Sequence, residues 1–216
     1  MGDVDIVCLL FDGITALDIV GPYEVLQRLP EADVKFVARA AGEVRTDNKF
    51  LALVADCSLA DITSADVLVV PGGFATRALE RDESLLEWIR AIDTTTTWTT
   101  SVCTGSMLLA AAGLLRGKEA TTHWASLERL TEYGAIPTSR RVVEQGKIVT
   151  AAGVSAGIDM GLTLVARIAG DEYAQGVQLG IEYDPQPPFD SGSVAKAPPA
   201  VVEFLSELYS ARGLSN

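Results

Sequence analysis

The sequence has little positive charge, few cysteines and a single histidine. Its 216 residues carry 17 Lys and Arg against 29 Asp and Glu, a formal net charge of −12. This acidic balance repels phosphate backbones and argues against a nucleic-acid reader. No apolar run reaches the about 20 residues that a membrane span needs, so we predict neither a membrane segment nor a membrane partner. The acidic N-terminal residues Asp3 and Asp5 stand where a secretory signal would be basic.

The scarce cysteines and histidine also limit the chemistry. Cys8, Cys57 and Cys103 are an odd number without CxxC spacing, which fits neither a disulfide framework nor a zinc site. We therefore predict a reducing, cytoplasmic environment and no metal. The only histidine, His123, cannot build an all-histidine metal site, and any His-dependent mechanism would depend on this one residue.

Short apolar segments alternate with stretches of helical period, which predicts an α/β fold with a mostly parallel sheet and helices on both faces. We expect one domain over residues 1–216. The predicted strands cover residues 5–11, 34–40, 50–54, 65–70, 98–102 and 120–122, with a hairpin over 141–150; the predicted helices cover 15–29, 84–92, 104–115, 124–133 and 155–168.

The C-terminal part has a different composition. Residues 183–199 contain five prolines, which predicts an extended surface arm before a last helix over 200–210. Such an arm either lies on a partner subunit or serves as a plain linker.

Three predicted strand ends carry the candidate chemistry, because ligands of open α/β sheets bind beyond the carboxyl ends of strands. Cys103 stands at a strand-to-helix turn, with Gly105 and Ser106 allowing close packing behind it. Backbone N–H groups and the positive helix end would favour a thiolate there, which makes Cys103 a candidate nucleophile. The alternative is a buried structural thiol. Cys8 and Cys57 have no such setting and are expected to be inert.

The other two strand ends supply a glycine pair and an acid. Gly72 and Gly73 follow a buried strand, where their N–H groups could form an oxyanion hole, or the pair could simply make a tight turn. Asp18 follows the first strand and could exchange a proton with the thiol if burial raises its pKa. Because Thr15 precedes it by three residues, a helix-capping box is the structural alternative.

These segments together resemble the DJ-1/PfpI superfamily of flavodoxin-like proteins, and within it the isocyanide hydratases. The resemblance covers nearly the whole chain, and its segments are Leu17-Asp18-Ile19-Val20-Gly21-Pro22, Val69-Val70-Pro71-Gly72-Gly73, Ser101-Val102-Cys103-Thr104-Gly105-Ser106, Ala120-Thr121-Thr122-His123-Trp124, Gly134-Ala135-Ile136-Pro137, Ala156-Gly157-Ile158-Asp159 and Pro187-Pro188-Phe189-Asp190-Ser191-Gly192-Ser193.

The resemblance implies a flavodoxin-like sandwich of the class I glutamine amidotransferase type and a homodimer. It implies that Cys103 is the nucleophile at a strained elbow and that Asp18 is its acidic partner. Thr104 stands where proteases and amidotransferases of the superfamily have a histidine, which argues against Cys-His hydrolase, glyoxalase, chaperone or deglycase chemistry.

The implied reaction is the hydration of a small-molecule isocyanide to an N-substituted formamide through a thioimidate, without a cofactor. Thr104 would orient Asp18 or polarise the site. Val154 is expected near the thiol, either influencing the following helix or as ordinary core packing. His123 is expected to be a structural histidine near the dimer interface, and the three tryptophans are expected to belong to the core.

A rival function comes from a second resemblance. The Cys-Thr-Gly and Thr-Thr-His-Trp segments are also similar to the ligand-sensing domains of AraC-type transcription regulators. No basic helix-turn-helix follows Pro199, so the alternative is a sensing or redox-responsive domain that uses Cys103 and has no DNA-binding region.

Overall fold

The computed structural model describes residues 4–211. Its strands and helices, in chain order, are β1 (Val4–Leu9), α1 (Ala16–Leu26), β2 (Ala32–Ala38), β3 (Gly42–Arg45), β4 (Ala52–Ala55), β5 (Cys57–Ser58), β6 (Val67–Val70), α2 (Thr76–Leu79), α3 (Glu83–Asp93), β7 (Trp98–Val102), α4 (Gly105–Ala111), β8 (Glu119–Ala120), β9 (Ile136–Pro137), β10 (Val142–Gln145), β11 (Ile148–Ala151), α5 (Ala156–Ala169), α6 (Asp171–Gly180) and α7 (Pro199–Ala211). Short 3-10 helices cover Leu59–Asp61, Trp124–Ser126 and Glu128–Tyr133.

Seven strands form the central sheet in the order β10-β11-β7-β6-β1-β2-β5. All neighbouring pairs are parallel except β10 and β11, which form the predicted hairpin. All four residues of β6 are buried, as expected for a central strand covered by helices on both faces. The predicted α/β sandwich with a mostly parallel sheet is confirmed.

Two groups of helices cover this sheet. On one side α1 packs against α5, and α5 against α6, whereas α4 contacts α2, α3 and the 3-10 helix Glu128–Tyr133. Close contact between α1 and α5 depends on a glycine, because a Cβ at Gly161 would lie 2.9 Å from Cβ of Val25. The pairing of α1 with α5 brings the residues before both helices to the same edge of the sheet.

Three sequence predictions need correction. The helix expected over 124–133 is two short 3-10 helices, of which only Ser126 and Leu130 are buried. The helix expected over 104–115 is limited to α4, Gly105–Ala111. Helix α6, Asp171–Gly180, was not predicted, because its two glycines weaken the helical pattern.

The C-terminal part consists of an exposed segment followed by a helix. Residues 183–198 contain neither helix nor strand and are largely exposed, and α7 begins at Pro199. Whether residues 1–216 act as one domain and whether the arm lies on a partner subunit both stay predictions. Within residues 4–211, no helix combines the length and the apolar character that crossing a bilayer requires.

Candidate active site

Cys103 occupies a strained turn between β7 and α4. Its φ of 54° is in the left-handed region, which costs a residue with a Cβ about 1–3 kcal/mol. Hydrogen bonds fix this conformation: the Cys103 N–H donates to the carbonyls of Ala151 and Ala152, and its carbonyl accepts from Ser106 Oγ at 3.1 Å and Thr122 Oγ1 at 2.9 Å. The backbone around the thiol is therefore held from both sides.

Glycine behind the turn makes this geometry possible. A Cβ at Gly105 would lie 2.1 Å from the carbonyl oxygen of Val70. Only glycine lets the start of α4 approach β6 so closely. The close packing predicted for Gly105 is confirmed by this contact.

Two backbone N–H groups, those of Thr104 and Val154, face the sulfur of Cys103 and act to lower the pKa of its thiol. Val154 follows β11 and has its own strained φ of 35°. The structure thus places Val154 beside the thiol, as predicted, but its contribution there comes from the backbone N–H. Together the two donors form a small pocket for negative charge around the sulfur.

Asp18 lies on the first turn of α1 and is completely buried. Its Oδ2 accepts a hydrogen bond from the N–H of Gly72 at 2.9 Å, and its carboxyl group interacts with the Cys103 thiol. Its Oδ1 has no partner with ordinary hydrogen-bond geometry among the described residues. Burial raises the pKa of Asp18 to about 7, against the lowering effect of the Gly72 N–H. Asp18 can therefore either accept or donate a proton near neutral pH.

The capping-box alternative for Asp18 is wrong. Thr15 precedes α1 but makes no side-chain cap; its Oγ1 donates to Asp47 Oδ2 at 3.0 Å. The Asp18 side chain turns inward to Gly72 and the thiol.

The surroundings of the Cys103 thiol act against the thiolate expected from its position before α4. Burial raises its pKa, and the nearby Asp18 carboxylate raises it further, although the Thr104 and Val154 N–H groups act in the opposite direction. A nucleophile in this setting needs an adjacent base to take its proton during attack. Asp18 is the group in that position.

The N–H groups of Gly72 and Gly73 bond to Asp18 and Thr104, although Gly73 itself lines the cavity described below. The Gly72 N–H donates to Asp18, and the Gly73 N–H donates to Thr104 Oγ1 at 3.1 Å. A Cβ at Gly72 would lie 2.6–2.8 Å from atoms of Thr104 and Asp18. The oxyanion hole predicted for this pair is not seen, because both donors are already used; the donors that face the sulfur are those of Thr104 and Val154.

A cavity of about 240 Å³ opens onto the thiol. It is lined by Thr15, Asp47, Gly73, Phe74, Thr76, Arg77, Cys103, Thr104, His123, Ala125, Ser126, Arg129, Val154 and Tyr209. Its volume is below the about 300–1,000 Å³ typical of drug-sized ligands, so it suits a small molecule. The sequence had indicated Cys103 and Thr104 as site residues, but it had not indicated Asp47, Arg129 or Tyr209.

His123 belongs to this cavity wall. Its Nδ1 accepts from the Ala125 N–H at 3.3 Å, and burial lowers the pKa of its imidazole, so the ring is neutral at physiological pH. Its Cδ2 atom lies 2.8 Å from the position that a Cβ on Gly153 would occupy. The expectation that it lies near a dimer interface stays a prediction.

A buried ion pair holds Arg129 in the wall of the cavity. Arg129 donates to both carboxylate oxygens of Glu80, at 3.2 and 2.6 Å, and Tyr133 donates to Glu80 Oε2 at 2.8 Å. The Arg129 and Glu80 side chains are 10% and 3% exposed, so the bidentate pair is shielded from solvent and well oriented. Among residues 4–211, no cluster of three or more His, Cys, Asp or Glu side chains is arranged to hold a metal ion.

Comparison with known proteins places this cysteine elbow in a family. The model of the DJ-1/PfpI family matches residues 4–167, which include β1 to β11 and both Asp18 and Cys103. The chain belongs to the DJ-1/PfpI family. The matched segment ends before α6, so α6 and α7 lie outside it.

Two relatives within this family cover most of the chain. It is similar to the isonitrile hydratase of Pseudomonas putida, with 47% identity over 195 residues, 90% of this chain and 85% of that protein. It also superposes on the crystal structure of a THiJ/PfpI family protein from Pseudomonas syringae with a TM-score of 0.94 and 39% identity, covering 98% of this chain and 88% of that one.

A third relative bears on the rival function. The HTH-type transcriptional regulator CdhR of Pseudomonas aeruginosa is 34% identical over 134 residues, 61% of this chain but 38% of the regulator. This DJ-1/PfpI chain thus matches the hydratase over more of its length and at higher identity than it matches the regulator.

Proposed function

We propose that this protein is an isocyanide hydratase, which converts an isocyanide and water into an N-substituted formamide. The observation that carries the proposal is the buried pair formed by the Cys103 thiol and the Asp18 carboxyl, with an Asp18 pKa of about 7. Similarity to an isonitrile hydratase over 90% of the chain supports the same reaction.

In the first step, the thiol adds across the terminal carbon of the isocyanide. The Asp18 carboxylate takes the proton of Cys103 as the sulfur bonds to that carbon, and then returns it to the same carbon. The product is a thioimidate, in which the former isocyanide carbon carries one hydrogen, the sulfur and a double bond to nitrogen. The N–H groups of Thr104 and Val154 stabilise the charge that develops on the sulfur.

In the second step, water replaces the sulfur. Asp18 takes a proton from water as the oxygen bonds to the thioimidate carbon and passes this proton to the nitrogen. The carbon–sulfur bond then breaks, the remaining proton of the new hydroxyl group moves through Asp18 to the Cys103 sulfur, and the formamide leaves. Over one turnover only the isocyanide and water are consumed, so the proposed reaction includes no cofactor.

Thr104 and the two glycines have a positioning role in this mechanism. The hydrogen bond between the Gly73 N–H and Thr104 Oγ1 fixes the turn that follows Cys103, and the Gly72 N–H keeps Asp18 Oδ2 in place. The unpartnered Asp18 Oδ1 is then the oxygen that exchanges protons with the thiol and with water.

We further propose that the enzyme is a cytoplasmic homodimer. All three cysteines are free, which fits a reducing compartment. Leu17 and Val20 of α1 are 41% and 36% exposed, and an exposed apolar helix face of this kind suits a second copy of the chain.

The sensing alternative is the less favoured function. A sensor would bind its ligand or be oxidised at Cys103 once per chain, whereas an enzyme turns over. The alternative rests on the resemblance to the regulator, which covers less of the chain at lower identity than the hydratase does.

Formamide production from para-nitrophenyl isocyanide tests the proposal. We expect multiple turnovers by the wild type and a loss of more than about 10³-fold in Cys103→Ala, because the nucleophile is removed. Cys57→Ala, at a half-buried thiol outside the cavity, is the matched control and should retain full activity. A wild type that forms no formamide while Cys103 still reacts with an alkylating reagent would favour the sensor.

A further inference from the structure

Helix α7 supplies one wall of the catalytic cavity from outside the segment that the family shares. The family match ends at residue 167, whereas Tyr209 of α7 lines the cavity together with Cys103. The connecting residues 183–198 are largely exposed, and none of the α7 residues 199–211 is buried. The contacts of Tyr209 are therefore important for holding α7 at the cavity.

These contacts are aromatic. The Tyr209 ring lies 5.7 Å from His123 in an edge-to-face arrangement and 5.8 Å from Trp124, and His123 lies 5.6 Å from Trp124. All three separations are within the range of favourable aromatic pairs. His123 and Tyr209 line the cavity, whereas Trp124 does not and supports the other two rings from behind.

The cavity brings the thiol and aromatic rings together. Cys103 and Thr104 line it, and so do His123 and Tyr209. An isocyanide is linear from its terminal carbon through nitrogen to the first atom of its substituent. If the carbon bonds to sulfur, the substituent extends away from Cys103 into the rest of the cavity.

Other groups in the cavity lining narrow the choice of substituent. Arg129 is engaged by Glu80, and Asp47 accepts from Thr15. Phe74 also lines the cavity and adds a further aromatic surface. An uncharged, apolar substituent fits these surroundings best.

We propose that Tyr209 is a specificity-determining residue that, with His123, selects isocyanides whose nitrogen carries a planar apolar ring. This inference rests on the proposed hydratase function. It assigns to α7 a role in substrate choice in addition to closing the cavity.

The test compares one large and one small substrate. We would measure kcat/KM for para-nitrophenyl isocyanide and for methyl isocyanide in the full-length wild type, Tyr209→Ala and Tyr209→Phe. Tyr209→Ala should lower the ratio of aryl to methyl kcat/KM by about tenfold, mainly by raising KM for the aryl substrate, because a ring-to-ring contact is lost. Tyr209→Phe should keep the ratio within about twofold, since the ring is retained.

Phe204→Ala is the matched control. Phe204 is an aromatic residue of the same helix that is 63% exposed and does not line the cavity, so its removal should leave the ratio unchanged. An equal loss for both substrates in Tyr209→Ala would mean that α7 only supports the fold, and would overturn the inference.

The single histidine gives an independent check of the aromatic cluster. Because His123 is the only histidine, its ring protons give one pair of signals in a proton NMR spectrum. Tyr209→Ala should shift these signals by removing a ring current, and Phe204→Ala should not. Unshifted signals in Tyr209→Ala would contradict the contact on which the inference depends.

A second assay separates failure of this inference from failure of the proposed function. The rates at which N-phenylmaleimide and N-methylmaleimide alkylate Cys103, read from the mass of its peptide, report the same ring preference without turnover. If the wild type hydrates neither isocyanide, the hydratase proposal fails, yet a phenyl preference lost in Tyr209→Ala would still support ring selection. An unchanged phenyl-to-methyl ratio in Tyr209→Ala would overturn it.

Discussion

Cys8 and Cys103 are both buried, and burial raises the pKa of both thiols, yet their surroundings differ. Cys8 lies in the middle of β1, paired with Phe36 in β2 and Val69 in β6, and burial alone raises its pKa to about 12. Cys103 has a strained backbone, two N–H donors at its sulfur and the Asp18 carboxyl beside it. Burial by itself makes a thiol inert; a base and charge-stabilising donors make a buried thiol useful.

Replacing Asp18 should remove most of the difference in reactivity between the two thiols and abolish most of the activity. In Asp18→Asn we expect kcat/KM for isocyanide hydration to fall by about 10²–10⁴-fold, because the proton carrier is lost. Alkylation of Cys103 by iodoacetamide at about neutral pH should become slower as well, because the buried thiol loses the carboxylate that takes its proton as the sulfur attacks. Peptide mass spectrometry would follow the reaction.

Cys8 provides the control within the same molecule. Its pKa is raised by burial without any contribution from Asp18, so its slow alkylation should be the same in Asp18→Asn and wild type. If Asp18→Asn lowered hydration but left Cys103 alkylation as fast as in the wild type, a group other than Asp18 would be activating the thiol, contrary to the mechanism proposed here.

Gly105→Ala tests whether the elbow requires the close approach to β6. We expect the free energy of unfolding in urea to fall by about 2–3 kcal/mol, because the new Cβ would meet the carbonyl oxygen of Val70 at 2.1 Å. Isocyanide hydration should fall as well, since the turn that carries Cys103 must move.

Gly176→Ala in α6 is the matched substitution, because a Cβ there has no neighbour within 4 Å. It should raise the free energy of unfolding by about 0.5–1 kcal/mol, as expected for glycine replaced by alanine within a helix. Equal effects of the two substitutions would show that the packing of Gly105 is not special.

The pH dependence of hydration distinguishes the roles of the two partners at the elbow. If the Asp18 carboxylate is the base, kcat/KM should rise about tenfold per pH unit and level off near pH 7, because the group is protonated and inactive below its pKa of about 7. Steady-state rates measured between pH 5 and 9, roughly two units either side of that value, would show this rise of kcat/KM with pH. A rising limb that persists in Asp18→Asn would assign it to another group.

The residues around the Cys103 thiol could be predicted because their sequence signals are local. A cysteine followed by Thr104 and Gly105 at a strand end, and a glycine pair after β6, identify the elbow within a few residues of sequence. Asp18 could be named as the partner, but the sequence also allowed a capping box, and only the inward direction of its side chain excludes that alternative. The use of the glycine N–H groups was also not predictable, since it depends on which acceptors fold next to them.

The rest of the cavity lining could not be predicted because it is built from tertiary contacts between distant segments. Asp47, Arg129 and Tyr209 come from separate parts of the chain, and nothing near them in sequence distinguishes them from ordinary surface residues. One α-helix was predicted where the structure has two 3-10 helices, which follow His123 and include Arg129. The local sequence pattern does not show how contact with the neighbouring α4 restricts the backbone of this segment.

The position of α7 has a consequence for the order in which the protein is made. A ribosome synthesises the chain from its N-terminus, and folding starts before synthesis ends. All the groups proposed to react or to stabilise charge, from Asp18 to Val154, leave the ribosome before Tyr209. We therefore expect that the turn carrying the thiol can form before α7 adds its part of the cavity wall.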